Sequence, residues 1–163
     1  MRIAITGHSA GIGQALTKIY TEQGHEVVGL SRRNGYNIRS LPKVVSMIEP
    51  CDMFINNAQV GYAQTELLFE VWRRWKGQQK YIVNISTQMT DMLLPPKEEW
   101  DEYIIQKKAM ELASQLLENR NPWPKLLLVR PGSIATQPEQ FPPEYMNVDE
   151  YTQGVSDWIA KNI

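Results

Sequence analysis

The stretch Arg2-Ile3-Ala4-Ile5-Thr6-Gly7-His8-Ser9-Ala10-Gly11-Ile12-Gly13 decides how the chain is read. A short β-branched run enters a loop with glycines at positions 7, 11 and 13. The loop then feeds a helical pattern with apolar residues at Ile12, Ala15, Leu16, Ile19 and Tyr20. A helix N-terminus offers unpaired N–H donors and a partial positive charge. Glycines let a backbone turn sharply and approach a phosphate with no Cβ in the way. Strand, glycine turn and helix in that order make a site for the phosphates of a dinucleotide, lined by Gly7, Ser9, Ala10, Gly11, Ile12 and Gly13.

The rest of the composition is that of an ordinary globular chain. Its 163 residues fit one domain spanning 1–163, are 42% hydrophobic and carry a net charge of −1. No basic excess points to nucleic acid. Cys51 is the single cysteine and His8 and His25 are the two histidines, so neither a disulfide framework nor a Cys- or His-built metal site is expected. The N-terminus runs from one arginine straight into strand residues, and no apolar run approaches the ~20 residues of a membrane span. A cytoplasmic protein is the expectation.

Strand and helix signals alternate along the chain, the pattern of a parallel α/β sheet. Glu26–Leu30 reads as a second strand, followed by the polar loop Ser31-Arg32-Arg33-Asn34-Gly35. Tyr36-Asn37-Ile38 is either a vestigial strand or the lead into a helix over Leu41–Glu49 with Pro42 in its first turn. Further strands are expected at Asp52–Asn56, Lys80–Ile85 and Leu126–Val129. A helix is expected over Thr65–Lys76. The longest helix opens at Pro95-Pro96-Lys97-Glu98-Glu99 and runs to about Asn119, with Ile105, Ala109, Leu112, Ala113 and Leu116 as its apolar stripe. A final helix starts at Asn147 with Glu150 in capping-box spacing, and Tyr151, Val155, Trp158 and Ile159 share one of its faces.

Tyr103 and Lys107 lie four apart on the longest helix and so stack one turn apart. Both fall away from the stripe, toward a cleft or solvent. A cation one turn from a tyrosine stabilises the tyrosinate and suits it to acid–base work. The same spacing also fits an amphipathic surface pair. Ser86 and Thr87 follow the end of a strand, where open α/β sheets place ligands. Arg130-Pro131-Gly132-Ser133-Ile134-Ala135-Thr136 follows the last strand in the same way.

These motifs occur in one order, and in that order the chain resembles the short-chain dehydrogenase/reductase family. The matches are Thr6-Gly7-x-x-x-Gly11-Ile12-Gly13, Asn56-Asn57-Ala58, Val83-Asn84-Ile85-Ser86-Thr87, Tyr103-x-x-x-Lys107 and Pro131-Gly132-x-Ile134-x-Thr136. The resemblance spans nearly the whole sequence. It implies a Rossmann-like, doubly wound parallel sheet with helices on both faces, which this short chain trims to about five to six strands with the first near the middle. It also implies a nicotinamide cofactor on the Gly7/Gly11/Gly13 loop, with Asn57 and Ala58 at the adenine-side ribose. Pro131, Gly132, Ile134 and Thr136 line the nicotinamide pocket in this reading. Tyr103 is then the general acid–base, and Lys107 binds the ribose and lowers the Tyr103 pKa. Thr87 or Ser86, with Thr87 preferred, orients the substrate oxygen.

NAD-selective sites place an acidic residue after the second strand. Here Ser31-Arg32-Arg33 stands there and no carboxylate follows until Glu49. Guanidinium groups suit a 2′-phosphate, so NADP(H) is favoured over NAD(H).

The sequence departs from the family at several points. It is short, Gln59 stands where a glycine is usual, and no Asn lies between Asn57 and Asn84 to complete the family's proton relay. One helix of the usual set and a terminal strand are missing. The reading is an NADP(H)-dependent oxidoreductase interconverting a small-molecule carbonyl and alcohol. The alternatives are a non-catalytic NADP(H)-binding sensor or subunit and an epimerase- or dehydratase-like member. Leu67, Leu68, Val71, Trp72 and Trp75 cover more than one face of their helix, which points to a homodimer or tetramer. Ser133–Met146, with Pro138, Phe141, Pro142, Pro143 and Tyr145, is expected to form part of a lid.

Overall fold

A computed structural model describes residues 1–93, 95, 97–135 and 146–163. Strands β1 (Arg2–Thr6), β2 (Glu26–Leu30), β3 (Met53–Asn56), β4 (Tyr81–Ile85) and β5 (Lys125–Val129) form one sheet in the order β2-β1-β3-β4-β5, parallel throughout. Helices α1 (Gly11–Glu22), α2 (Leu41–Ile48), α3 (Ala63–Trp75), α4 (Asp101–Arg120) and α5 (Val148–Asn162) cover it on both sides. Two short strands, β6 (Ile134–Ala135) and β7 (Met146–Asn147), pair separately. Among the described residues no helix is long and apolar enough to cross a membrane.

The alternation of side chains along each strand divides the core in two. Ile3 and Ile5, Met53 and Ile55, Val83 and Ile85, and Leu127 and Val129 face Leu16 and Tyr20 of α1 and Val155 and Ile159 of α5. Ala4, Phe54, Ile82 and Leu126 face the other way, onto α2, α3 and α4. Both faces are buried, which is why these strands read as continuous apolar runs.

Three expectations change and one open choice is settled. First, of the two readings of Tyr36–Ile38 the lead into α2 holds, and no strand forms there. The connection from β2 to α2 is too short for a crossover, so β2 is the sheet edge and β1 lies one strand in from it. Second, α4 begins at Asp101, after a single 3₁₀ turn at Glu98–Trp100.

Third, the inward side of α4 differs: of the expected stripe Ala113 is buried and Ala109 half-buried, but the large residues face out. Ile105 and Leu112 are each 56% exposed and Leu116 51%, while Ile104, Met110 and Leu117 are buried. Lys107 goes in with them at 3% exposure, not away from the core as expected, though it still lines a cleft. Fourth, Leu67, Leu68, Val71, Trp72 and Trp75 are all buried within this chain. They leave no second apolar face on α3 to call for a homodimer or tetramer. The segment 136–145, which holds Thr136, Pro138, Phe141, Pro142, Pro143 and Tyr145, lies outside the described residues.

Candidate active site

The site is assembled along the C-terminal edge of the sheet. Gly7 leaves β1 with φ +72°, a left-handed conformation that favours glycine, and its N–H donates to the Leu30 carbonyl at 2.7 Å. A Cβ on Gly13 would stand 2.4 Å from the Gly7 carbonyl oxygen. The start of α1 therefore rests directly on the turn. Ala10 supplies no side-chain cap to α1, and its first turn carries no acidic residue. Nothing in the helix itself competes with an anion for the positive end of the dipole.

Thr6 ties this loop to the next. Its hydroxyl oxygen accepts from the Asn57 and Ala58 backbone N–H groups at 3.0 and 3.1 Å, and Asn57 Nδ2 donates to the Thr6 carbonyl at 2.9 Å. Arg32 and Arg33 sit exposed in a 3₁₀ turn after β2, and neither pairs with a carboxylate among the described residues. Arg33 reaches back to the Ser9 carbonyl at 3.4 Å. A cleft of about 310 Å³ runs between Gly7, Ser9, Ala10, Ser31, Arg32, Arg33, Ala58 and Gln59. A second, of about 480 Å³, continues it past Gly11, Ile12 and Asn57.

A third cleft of about 230 Å³ shares Ile12, Asn57 and Gln59 with these two and is closed by Ser86, Thr87, Tyr103, Lys107, Pro131, Gly132 and Ile134. The structure thus brings Gly7, Gly11, Ile12, Asn57, Ala58, Ile85, Ser86, Thr87, Tyr103, Lys107, Pro131, Gly132 and Ile134 to these adjoining clefts, while Gly13 packs behind them against the Gly7 turn and lines none. A further cavity of about 500 Å³ between β5 and α5 shares no lining residue with it.

Ser86 and Thr87 follow the end of β4 but differ in what they bond. The Ser86 hydroxyl donates to Glu111, which also accepts from Thr90 and pairs with Arg130 at 3.2 Å. The Thr87 hydroxyl accepts from the Met89 N–H at 3.2 Å and stands beside the Tyr103 phenol. Burial pushes the Tyr103 pKa up, with the Thr87 hydroxyl working in the opposite direction. This corrects the expectation that Lys107 lowers it: desolvation of the phenolate dominates. Lys107 Nζ lies 5.7 Å from the Tyr103 ring centroid. Its pKa is itself lowered to about 8 by burial, against the pull of Glu111.

Sequence reasoning missed two residues. Glu111 is one turn beyond Lys107, an i,i+4 relation that could have revealed it. Gln64 is buried beside Lys107 and accepts from its Nζ at 2.9 Å. No sequence signal marks it, since the expected helix began one residue later at Thr65. Gln59 bonds across the groove to Gln106 of α4.

No protein-family model matches the sequence. An uncharacterised oxidoreductase of Emericella nidulans is 35% identical over 89 residues, covering 40% of this chain and 34% of the relative, so the match spans about a third of that relative's length. Among solved structures, a short-chain dehydrogenase from Burkholderia cenocepacia in complex with NADP superposes with a TM-score of 0.78 at 17% identity, over 93% of this chain and 80% of that one. A 4-hydroxyisoleucine dehydrogenase complexed with NADH gives 0.77 at 17% identity, over 97% and 90% of the two chains. The bulky-bulky ketone specific alcohol dehydrogenase from Comamonas testosteroni gives 0.75 at 20% identity, over 98% and 82%. The chain has the fold of the short-chain dehydrogenases/reductases.

Proposed function

We propose that this chain is a single-domain, NADP(H)-dependent oxidoreductase that interconverts a small-molecule carbonyl and its alcohol. The observation that carries the reading is the cleft in which Thr87, Tyr103 and Lys107 meet Ile12, Asn57 and Pro131-Gly132. These residues come from five separate segments, and no core-packing need brings a phenol, a hydroxyl and an ammonium to one opening.

The groove fits the cofactor in its chemistry. The uncapped start of α1 and the glycine turn hold the pyrophosphate, and Arg32 and Arg33 hold the 2′-phosphate. Asn57 and Ala58 flank the adenine-side ribose, and Lys107 faces the second ribose. Pro131, Gly132 and Ile134 form the wall of the nicotinamide end. The bound nicotinamide supplies or accepts the hydride. The Thr87 hydroxyl orients the substrate oxygen, and the Tyr103 O–H donates its proton to that oxygen as the carbonyl becomes an alcohol. A phenol with a raised pKa stays protonated at neutral pH and so serves as the acid in reduction. Ser86, committed to Glu111, holds the end of β4 and leaves the substrate contact to Thr87.

Calorimetric titration with NADPH and NADH, followed by turnover on a carbonyl panel with wild type and Tyr103→Phe, tests this. The expected result is tighter binding of NADPH and turnover that depends on Tyr103. Absence of binding overturns the reading. Binding with no turnover on any panel member replaces it with the sensor alternative.

A further inference from the structure

Gln64 is the second residue of α3 and is 2% exposed. Its Nε2 donates to the Asn56 carbonyl at 2.7 Å and to the Ile85 carbonyl at 3.0 Å. Those two bonds use both amide protons and fix which way the amide lies. Flipping it would set Oε1 against two carbonyl oxygens. The remaining atom, Oε1, therefore has to accept, and its donor is Lys107 Nζ at 2.9 Å. Lys107 Nζ also donates to the Ile85 carbonyl at 2.8 Å. An ammonium has three donors. Two are held by α3 and the end of β4, and the third is left for the cleft that Lys107 lines.

We propose that Gln64 is a positioning residue of the site: its locked amide oxygen holds the Lys107 ammonium against the end of β4 and leaves one N–H for the cleft. This rests on Lys107 being a cofactor-side group, as read above. It gives α3 a function in the site that its apolar packing alone does not. A lysine carried into the core by α4 is retained there because acceptors on two neighbouring elements meet it.

The groups facing Lys107 are few. From its own helix come Tyr103 and Glu111, the latter paired with Arg130 of the segment after β5. From α3 comes the uncharged Gln64, and from β4 the Ile85 carbonyl. Removing the acceptor at position 64 disfavours the charged amine, whereas a carboxylate there favours it. Gln64→Met and Gln64→Glu should therefore move the Lys107 titration in opposite directions.

The test follows Lys107 in the full chain by NMR of ¹³Cε-labelled lysine, the resonance being identified with Lys107→Arg. Melting temperature and NADPH binding by fluorescence are read in parallel. Wild type should titrate near pH 8. Gln64→Met should fall, and Gln64→Glu rise, by about one unit each. Gln64→Met should also weaken NADPH binding at pH 7.5 several-fold. Shifts of the same sign, or none, overturn the proposal whatever the melting temperatures do, because loss of packing alone cannot split the two variants. If Gln64→Met does not fold, Gln64→Glu decides alone: its titration must rise. Failure of wild type to bind NADPH, with the opposite shifts intact, sinks the cofactor reading and leaves the positioning role standing.

Discussion

The two ends of the groove are built from different materials. The end beside β1 and β2 is made by main chain: a left-handed Gly7, a Gly13 with no room for a Cβ, and backbone N–H groups gathered by one hydroxyl, that of Thr6. Its charged side chains, Arg32 and Arg33, stand on the rim in solvent. The end beside β4 and α4 is made by side chains bonded to one another: the buried Gln64 to the buried Lys107, and the buried Ser86 through the half-buried Glu111 to Arg130. The main-chain end depends on its glycines and on few side chains, Thr6 and Asn57 among them. A side-chain site depends on every partner in the chain of bonds, since a buried polar group left unpaired costs about 1–3 kcal/mol.

Breaking the second end should have the largest effect. Tyr103→Phe removes the proposed proton donor while leaving the ring, so kcat for carbonyl reduction should fall by about 10²–10⁴-fold. NADPH affinity should hold, since the phenol is not asked to bind the cofactor, and a parallel loss of affinity would blur the division between the two ends. At the first end, Gly13→Ala forces a methyl into the Gly7 carbonyl and Asn57 Nδ2. Overpacking of this kind costs about 1–3 kcal/mol, and calorimetry should find NADPH bound ten- to a hundredfold more weakly. Unchanged affinity would mean that the turn is not the phosphate cradle.

A smaller change is expected from replacing Arg32 and Arg33 together by alanine. Loss of charge-assisted bonds worth about 1.5–3 kcal/mol should lower NADPH affinity roughly tenfold or more and leave NADH binding as it was. Equal loss for both would remove the 2′-phosphate assignment. The smallest effect belongs to the outer face of α4. Leu112→Gln should change unfolding free energy by less than about 0.5 kcal/mol. Met110→Ala, two residues earlier but buried, should cost about 2–5 kcal/mol. Similar costs would show that the exposed stripe is covered after all.

The fold was legible where strands were short, β-branched and followed by glycine or asparagine. Five strands and the start of α1 lie where the sequence places them, because buried parallel strands have no polar face to confuse the pattern. The side of α4 that faces inward was not legible, for a physical reason. The helix carries apolar residues on two faces, Ile104, Met110 and Leu117 on one and Ile105, Leu112 and Leu116 on the other. Periodicity selects the second face because Lys107 and Ser114 interrupt the first. Those two are buried because Gln64 and Asn84 meet them, and such partners are contributed by distant segments. The proton-relay Asn sought between Asn57 and Asn84 is absent, but an amide does stand beside Lys107. It comes from Gln64, a position that neither spacing nor composition singles out.

Asn56 and Asn84 stand opposite each other in the register of β3 and β4, 2.9 Å apart through Nδ2 and Oδ1. Asn84 then donates to the Ser114 hydroxyl on α4 at 3.0 Å. A slip of one residue between these strands would turn one amide to the opposite face of the sheet and strand both in hydrocarbon. The pair therefore favours this register, since aliphatic side chains alone accept several pairings while amides accept one. The distance from Asn57 to Ser86 across the edge of the sheet is inherited from that pairing. The width of the opening there is thus gauged by two amides that line none of its clefts.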